Sequence, residues 1–223
     1  MPDIPCEAEG AHIILVGHFN PSIFQPAWLA AHDLIRKEEA EAAKIQVIAS
    51  EVASFTSDWL SLVVTDDKFQ ALTNDPSHYE PLRDLVLGIF LLLEHTPFEK
   101  MGINRDMHFR MPTEEAWHQL GHLLTPKELW RSHLEKPGME SITIGGSPKH
   151  APDSHLRVKV EPSTRVKPCG VYVGTNQHHQ ASGPDAARQL MVILREKWQT
   201  SQEYARVLSE NLVNEGYRRA INS

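Results

Sequence analysis

The run HYEPLRDLVLGIFLLLEH, residues 78–95, constrains this chain more than any other stretch. Leu82, Leu85, Val86, Ile89, Leu92 and Leu93 recur at spacings of three and four, which is the signature of a helix. Leu87, Phe90 and Leu91 widen the apolar stripe past half of the helix girth. A helix of that kind has to be covered on more than one side. Its apolar heart, LVLGIFLLL at 85–93, is too short to cross a bilayer. The cover must therefore be protein, and an aspartate at Ile89 is expected to abolish folding.

The flanking segments supply a sheet. AHIILVGHFN (11–20) reads as a strand covered on both faces, and PAWLAAHDLI (26–35) as a helix with Pro26 in its first turn. KEEAEAAK (37–44) is helix-forming and solvated. IQVIASEVASFTSD (45–58) predicts one β-branched strand with an irregular stretch. WLSLVVT (59–65) and KFQALT (68–73) predict antiparallel strands joined at Asp66-Asp67. Near 103–111 the period of two is clean: Arg105, Met107, Phe109 and Met111 point one way, and Asn104, Asp106, His108 and Arg110 the other. Thr113 is the candidate cap of a helix reaching about Leu124, with a further short helix from Thr125-Pro126 through Leu134. MESITIGG (139–146), HLRVKV (155–160) and GVYVGT (170–175) are three more strands, the first two parted by the turn-rich SPKHAPDS. A long helical tract opens at Gly183-Pro184-Asp185. Its stripe of Leu190, Leu194, Trp198, Ala205, Leu208 and Leu212 breaks near Thr200-Ser201.

These segments predict an α+β fold, an antiparallel sheet with helices packed on one side. One parse is two fused ferredoxin-like units; the other is a single larger sheet wrapped around the 79–95 helix. The expected organisation is a polar leader at 1–10, a first α+β unit at 11–111, a second at 112–216 packed on the first, and a tail at 217–223.

Charge and cysteine narrow the function. The formal net charge is −7, and residues 1–58 hold nine acidic against three basic side chains. Such a surface repels a phosphate backbone outside a local basic patch. Cys6 and Cys169 lie far apart without CxxC spacing, and MPDIPCEAEG lacks the plan of a signal peptide. Two free thiols in the cytoplasm is the expectation, with no membrane partner.

Three constellations carry chemistry. On the predicted strand, Asp106 and His108 share a face, a pairing that suits acid–base work, while Arg110 could attract an anion. The same alternation is what the solvated face of any half-buried sheet shows. Arg157, Lys159, Arg165 and Lys167, against the one acid Glu161, form a basic strip fit for phosphate contacts, without the aromatic residues of sheet-faced RNA modules. Glu115, His118 and His122 recur at three and four on a helix and are weak candidate metal ligands, since Gln119 stands where HExxH needs glutamate. His178-His179 reads as loop. No glycine-rich nucleotide loop or nucleophile elbow occurs, and no cofactor is expected.

The expected function is therefore non-catalytic protein binding or self-association. It would act through a polar sheet face of Asn104, Asp106, His108, Arg110, Arg157 and Lys159, or through the C-terminal helix. A metal-dependent hydrolase using the histidine cluster is one alternative, and an RNA- or DNA-binding protein using the 157–167 strip is another.

Overall fold

Among the described residues, nine strands form one sheet in which every neighbouring pair is antiparallel. They are β1 (Cys6–Gly17), β2 (Lys44–Ile48), β3 (Val52–Thr56), β4 (Ser61–Thr65), β5 (Lys68–Thr73), β6 (Phe98–Arg110), β7 (Ile142–Gly146), β8 (His155–Pro162) and β9 (Gly170–Gln180). The sheet order is β2-β3-β4-β5-β1-β6-β9-β8-β7. The computed structural model describes residues 3–148 and 151–222. Lys149 and His150 of the predicted SPKHAPDS turn lie outside the described residues. So do the first two positions of the leader and the last of the tail.

The helices are α1 (Pro26–Ala31), α2 (Lys37–Ala42), α3 (Tyr79–Leu92), α4 (Glu114–Leu124) and α5 (Ala186–Asn222). They pack on one side of the sheet, as the patterning predicts. Burial follows strand parity. Ala11, Ile13 and Leu15 of β1 meet Leu82, Val86, Ile89 and Phe90 of α3 and Leu190, Leu194 and Trp198 of α5 in one core. Phe19, Phe24, Phe69, Phe90 and Phe98 give that core an aromatic centre, with Phe69 and Phe90 edge to face at 5.1 Å. A second core sits under α4 and the far end of α5, built from Met107, Phe109, Met111, Leu120, Val173 and Val213. The stripe of α5 is thus spent on this sheet, where it spans both cores.

The structure corrects several sequence-based expectations. β1 starts at Cys6, so residues 6–10 of the polar leader join the sheet by pairing with β6. The segment 45–58 is a hairpin of two strands, turning at 49–51, because its polar Ser50-Glu51 pair interrupts the apolar run. Residues 125–134 make hydrogen-bonded turns and no helix. There the Lys127 ammonium donates to the Gly121 carbonyl at 3.1 Å and to Thr125, closing the end of α4. α5 runs through Thr200-Ser201 without a break, since Ser201 and Gln202 turn their polar side chains into the interior at that level. His178-His179 belongs to β9 and is not loop.

Candidate functional site on the helix-free face

Strand register decides which side chains meet. On β6, Arg105, Met107 and Phe109 face the helices, and Asn104, Asp106, His108 and Arg110 face away, as the period of two predicts. Asn104 stands beside Asn176 of β9, which stands beside Arg157 of β8; Asp106 stands beside Gly174, and Gly174 beside Lys159. All six residues proposed from sequence therefore share the helix-free face, although two segments some fifty residues apart supply them.

Most of that row is already engaged. Asp106 accepts a hydrogen bond from Tyr172 at 2.6 Å with one oxygen and pairs with His12 Nε2 at 2.7 Å with the other. Burial pushes the Asp106 carboxyl up, but the bonds from His12 and Tyr172 outweigh it and hold it below the usual carboxylate range. Burial and the adjacent Asp106 carboxylate push the Tyr172 hydroxyl up. Glycine at 174 leaves room for the Tyr172 ring that lies across it, since a Cβ there would push that ring away. Asn176 likewise lies over Gly102, where a Cβ would come within 2.6 Å of its amide, and donates to Asn104. Arg110 forms a two-pronged pair with Glu7 at 2.6 and 2.8 Å and donates to the Lys167 carbonyl. Lys159 pairs with Glu161 at 2.6 Å.

The buried pair of Ser163 and His108 resembles half of a nucleophilic dyad, yet its bonding assigns it a structural role. Ser163 Oγ accepts from the backbone N–H groups of Arg165 and Val166 at 3.1 and 2.9 Å. Its own proton is therefore directed to His108 Nδ1, 2.8 Å away. Burial, then the Arg165 charge, pushes the His108 imidazole down against the opposing pull of Asp106, which keeps it neutral near neutral pH. The pair pins the 163–168 connection onto β6.

One part of the face is different. Lys100, His155 and Arg157 are exposed, and His178 is half-buried among them. Burial first, then the charges of Arg157, Lys100 and His155, pushes His178 down from its ordinary value. Among the described residues none of the four has an ion-pair partner. Sequence reasoning named Arg157, took His178 for loop, and missed Lys100 and His155. His155 was within reach, since it shares the alternate positions of Arg157 and Lys159 in HLRVKV; Lys100 and His178 join only through the β6–β9 register.

The other basic residues of the 157–167 strip diverge. Arg165 binds Asn74 at 2.9 Å from the β8–β9 connection, and Lys167 sits on the same connection. The weak metal candidates lie elsewhere, on α4. His118 pairs with Glu114 at 3.5 Å, His122 is exposed one turn on, and Glu115 is exposed. Among the described residues no group of three histidine, cysteine, aspartate or glutamate side chains is placed to hold a metal ion. Cys6 and Cys169 are free thiols, and burial pushes the Cys6 thiol up. No described helix is long and apolar enough to cross a membrane. Comparison with protein-family models and with curated proteins finds no match.

Proposed function

We propose that this chain is a non-catalytic recognition protein that holds an acidic segment of a protein partner on the helix-free face of its sheet. The observation that carries the reading is the cluster of Lys100, His155, Arg157 and His178, four basic side chains without a carboxylate partner among the described residues, on a chain of net charge −7. Around them the hydrogen-bonded row from His12 to Tyr172 is preformed, so an extended ligand would meet a surface that needs little ordering. Short acidic segments suit this patch better than a long polyphosphate. Asp106, Glu161 and Glu7 on the same face interrupt its positive potential, and Tyr172 on this face is half-buried and tied to Asp106 instead of standing free to stack.

The two halves of the sheet are, on this reading, related ferredoxin-like units joined at β1 and β6. In each, the first strand pairs with the last strand of its own meander, β1 with β5 and β6 with β9. A cytoplasmic location fits the two unpaired thiols and belongs to the same proposal.

A fluorescent glutamate-rich peptide tests the function by anisotropy at low salt. The peptide is expected to bind, and to bind more weakly as added salt screens its attraction to Lys100 and Arg157. The Lys100→Ala/Arg157→Ala variant is expected to bind about tenfold more weakly, each surface ion pair being worth up to roughly 1 kcal/mol. Stronger, steeply salt-sensitive binding of a single-stranded RNA oligonucleotide would favour the nucleic-acid alternative. Equal peptide affinity in wild type and variant overturns the reading.

A further inference from the structure

A second concavity lies away from the sheet face just described, between α4, the 136–139 segment and the start of β9. Its volume is about 470 Å³, within the range of small-molecule sites. Burial divides its lining into a floor and a rim. Leu120 and Val171 are buried, and Trp117, Met139 and Pro162 are half-buried, giving an apolar floor. The Trp117 indole is fixed there by its N–H, which donates to the Gly170 carbonyl at 3.0 Å. The exposed rim carries His118, His122, Arg131 and Lys136. Glu161 is the one acid in the lining, and Lys159 neutralises it at 2.6 Å. Lys127 is also in the wall, but its ammonium is spent on Gly121 and Thr125.

We infer that this cavity binds a small organic acid whose flat apolar body rests against Trp117 and Met139 while its carboxylate or other anionic group meets Arg131 and Lys136. Shape and charge both point there. An apolar floor rewards burial of a hydrocarbon skeleton, and a rim with two permanent cations and two imidazoles rewards a single negative charge. The same chemistry gives His122 a role as a rim donor to an anion, which needs no third ligand, while His118 keeps Glu114 as its partner. This inference is independent of the proposed function, since its residues lie outside the Lys100–Arg157 cluster.

Calorimetric titration of the full chain with 2-naphthoate, and with 2-naphthylmethanol as its uncharged counterpart, tests it. Naphthoate is expected to bind at one equivalent, and the alcohol more weakly. Arg131→Ala/Lys136→Ala is expected to weaken naphthoate about tenfold while leaving the alcohol unchanged. Gly121→Leu fills the cavity from α4. A Cβ at that position meets only Met139 Cβ, at an ordinary 3.9 Å, so the fold should tolerate the change while binding of both compounds disappears. Naphthoate affinity unchanged in both variants, or equal affinity for acid and alcohol, overturns the inference, as does failure of either compound to saturate the wild-type chain.

Discussion

β6 carries an ionic cluster on each face, and the two are built on opposite principles. Under the helices, Arg105 pairs with Glu9, donates to the Gln202 carbonyl and places its guanidinium 5.1 Å from the Tyr79 ring centre. Yet Arg105 Nε, His179 Nε2, Ser201 Oγ and Gln202 Oε1, all buried on that side, have no hydrogen-bond partner among the described residues. On the open face, Asp106 has both oxygens engaged by His12 and Tyr172. Packing under α5 fixes side-chain positions even where polar groups are incompletely matched, at a cost that the two flanking apolar cores offset. The open face has no such packing, and its geometry is held by hydrogen bonds from strand to strand. One side is rigid because it is full, the other because it is stitched.

Substitutions that strike each side should separate these principles. The largest effect belongs to the packed side: Ile89→Asp, at a position with no solvent exposure, should give a chain without a cooperative unfolding transition. Ile89→Ala should still fold but lose roughly 2–5 kcal/mol in denaturant titration. Next comes Arg105→Met, which strands the Glu9 carboxylate and should cost about 3–5 kcal/mol. Arg105→Met/Glu9→Met should recover most of that loss. A double variant no better than the single would show that the ion pair is not what the substitution disturbs.

A smaller effect concerns protons. Burial, then the charges of His178 and Lys197, pushes His179 down to about 4, against 6.5 for the free side chain. The folded state therefore holds this imidazole neutral while the unfolded chain protonates it. Stability should be complete above about pH 6.5 and decline by roughly 2–3 kcal/mol as the pH falls toward about 4. Thermal melts across that window should show the slope, and His179→Gln should flatten it. Smaller again, Asp106→Asn removes one charge-assisted acceptor from the open face and should cost about 1–2 kcal/mol by the same measurement. Lys100→Ala/Arg157→Ala should leave stability within about 0.5 kcal/mol of wild type, whatever it does to binding.

What the sequence disclosed follows the same division. Local periodicity was sufficient for α3, for both faces of β6 and for the Thr113 cap, which accepts from Ala116 N at 3.1 Å. Each is dictated by neighbours within a turn or a strand. Long-range register was not legible: nothing near Lys100 announces that His178 of β9 will pair with Gly102, two residues further along β6. The continuity of α5 was hidden for a related reason. Thr200-Ser201 reads as a break only until the interior is in place, where Gln202 donates to the Asn104 carbonyl of β6 and Ser201 is buried next to it. The short helix expected at 125–134 had the propensity, but buried Lys127 turns the chain back onto the end of α4.

The most direct measurement is an amide NMR titration of the labelled chain with the glutamate-rich peptide. Saturable shifts should centre on Lys100, His155, Arg157 and His178 and fade when Lys100 and Arg157 are both alanine. Perturbations confined to α5 or the 125–139 segment, or none at all, would contradict a binding role for the open face of the sheet.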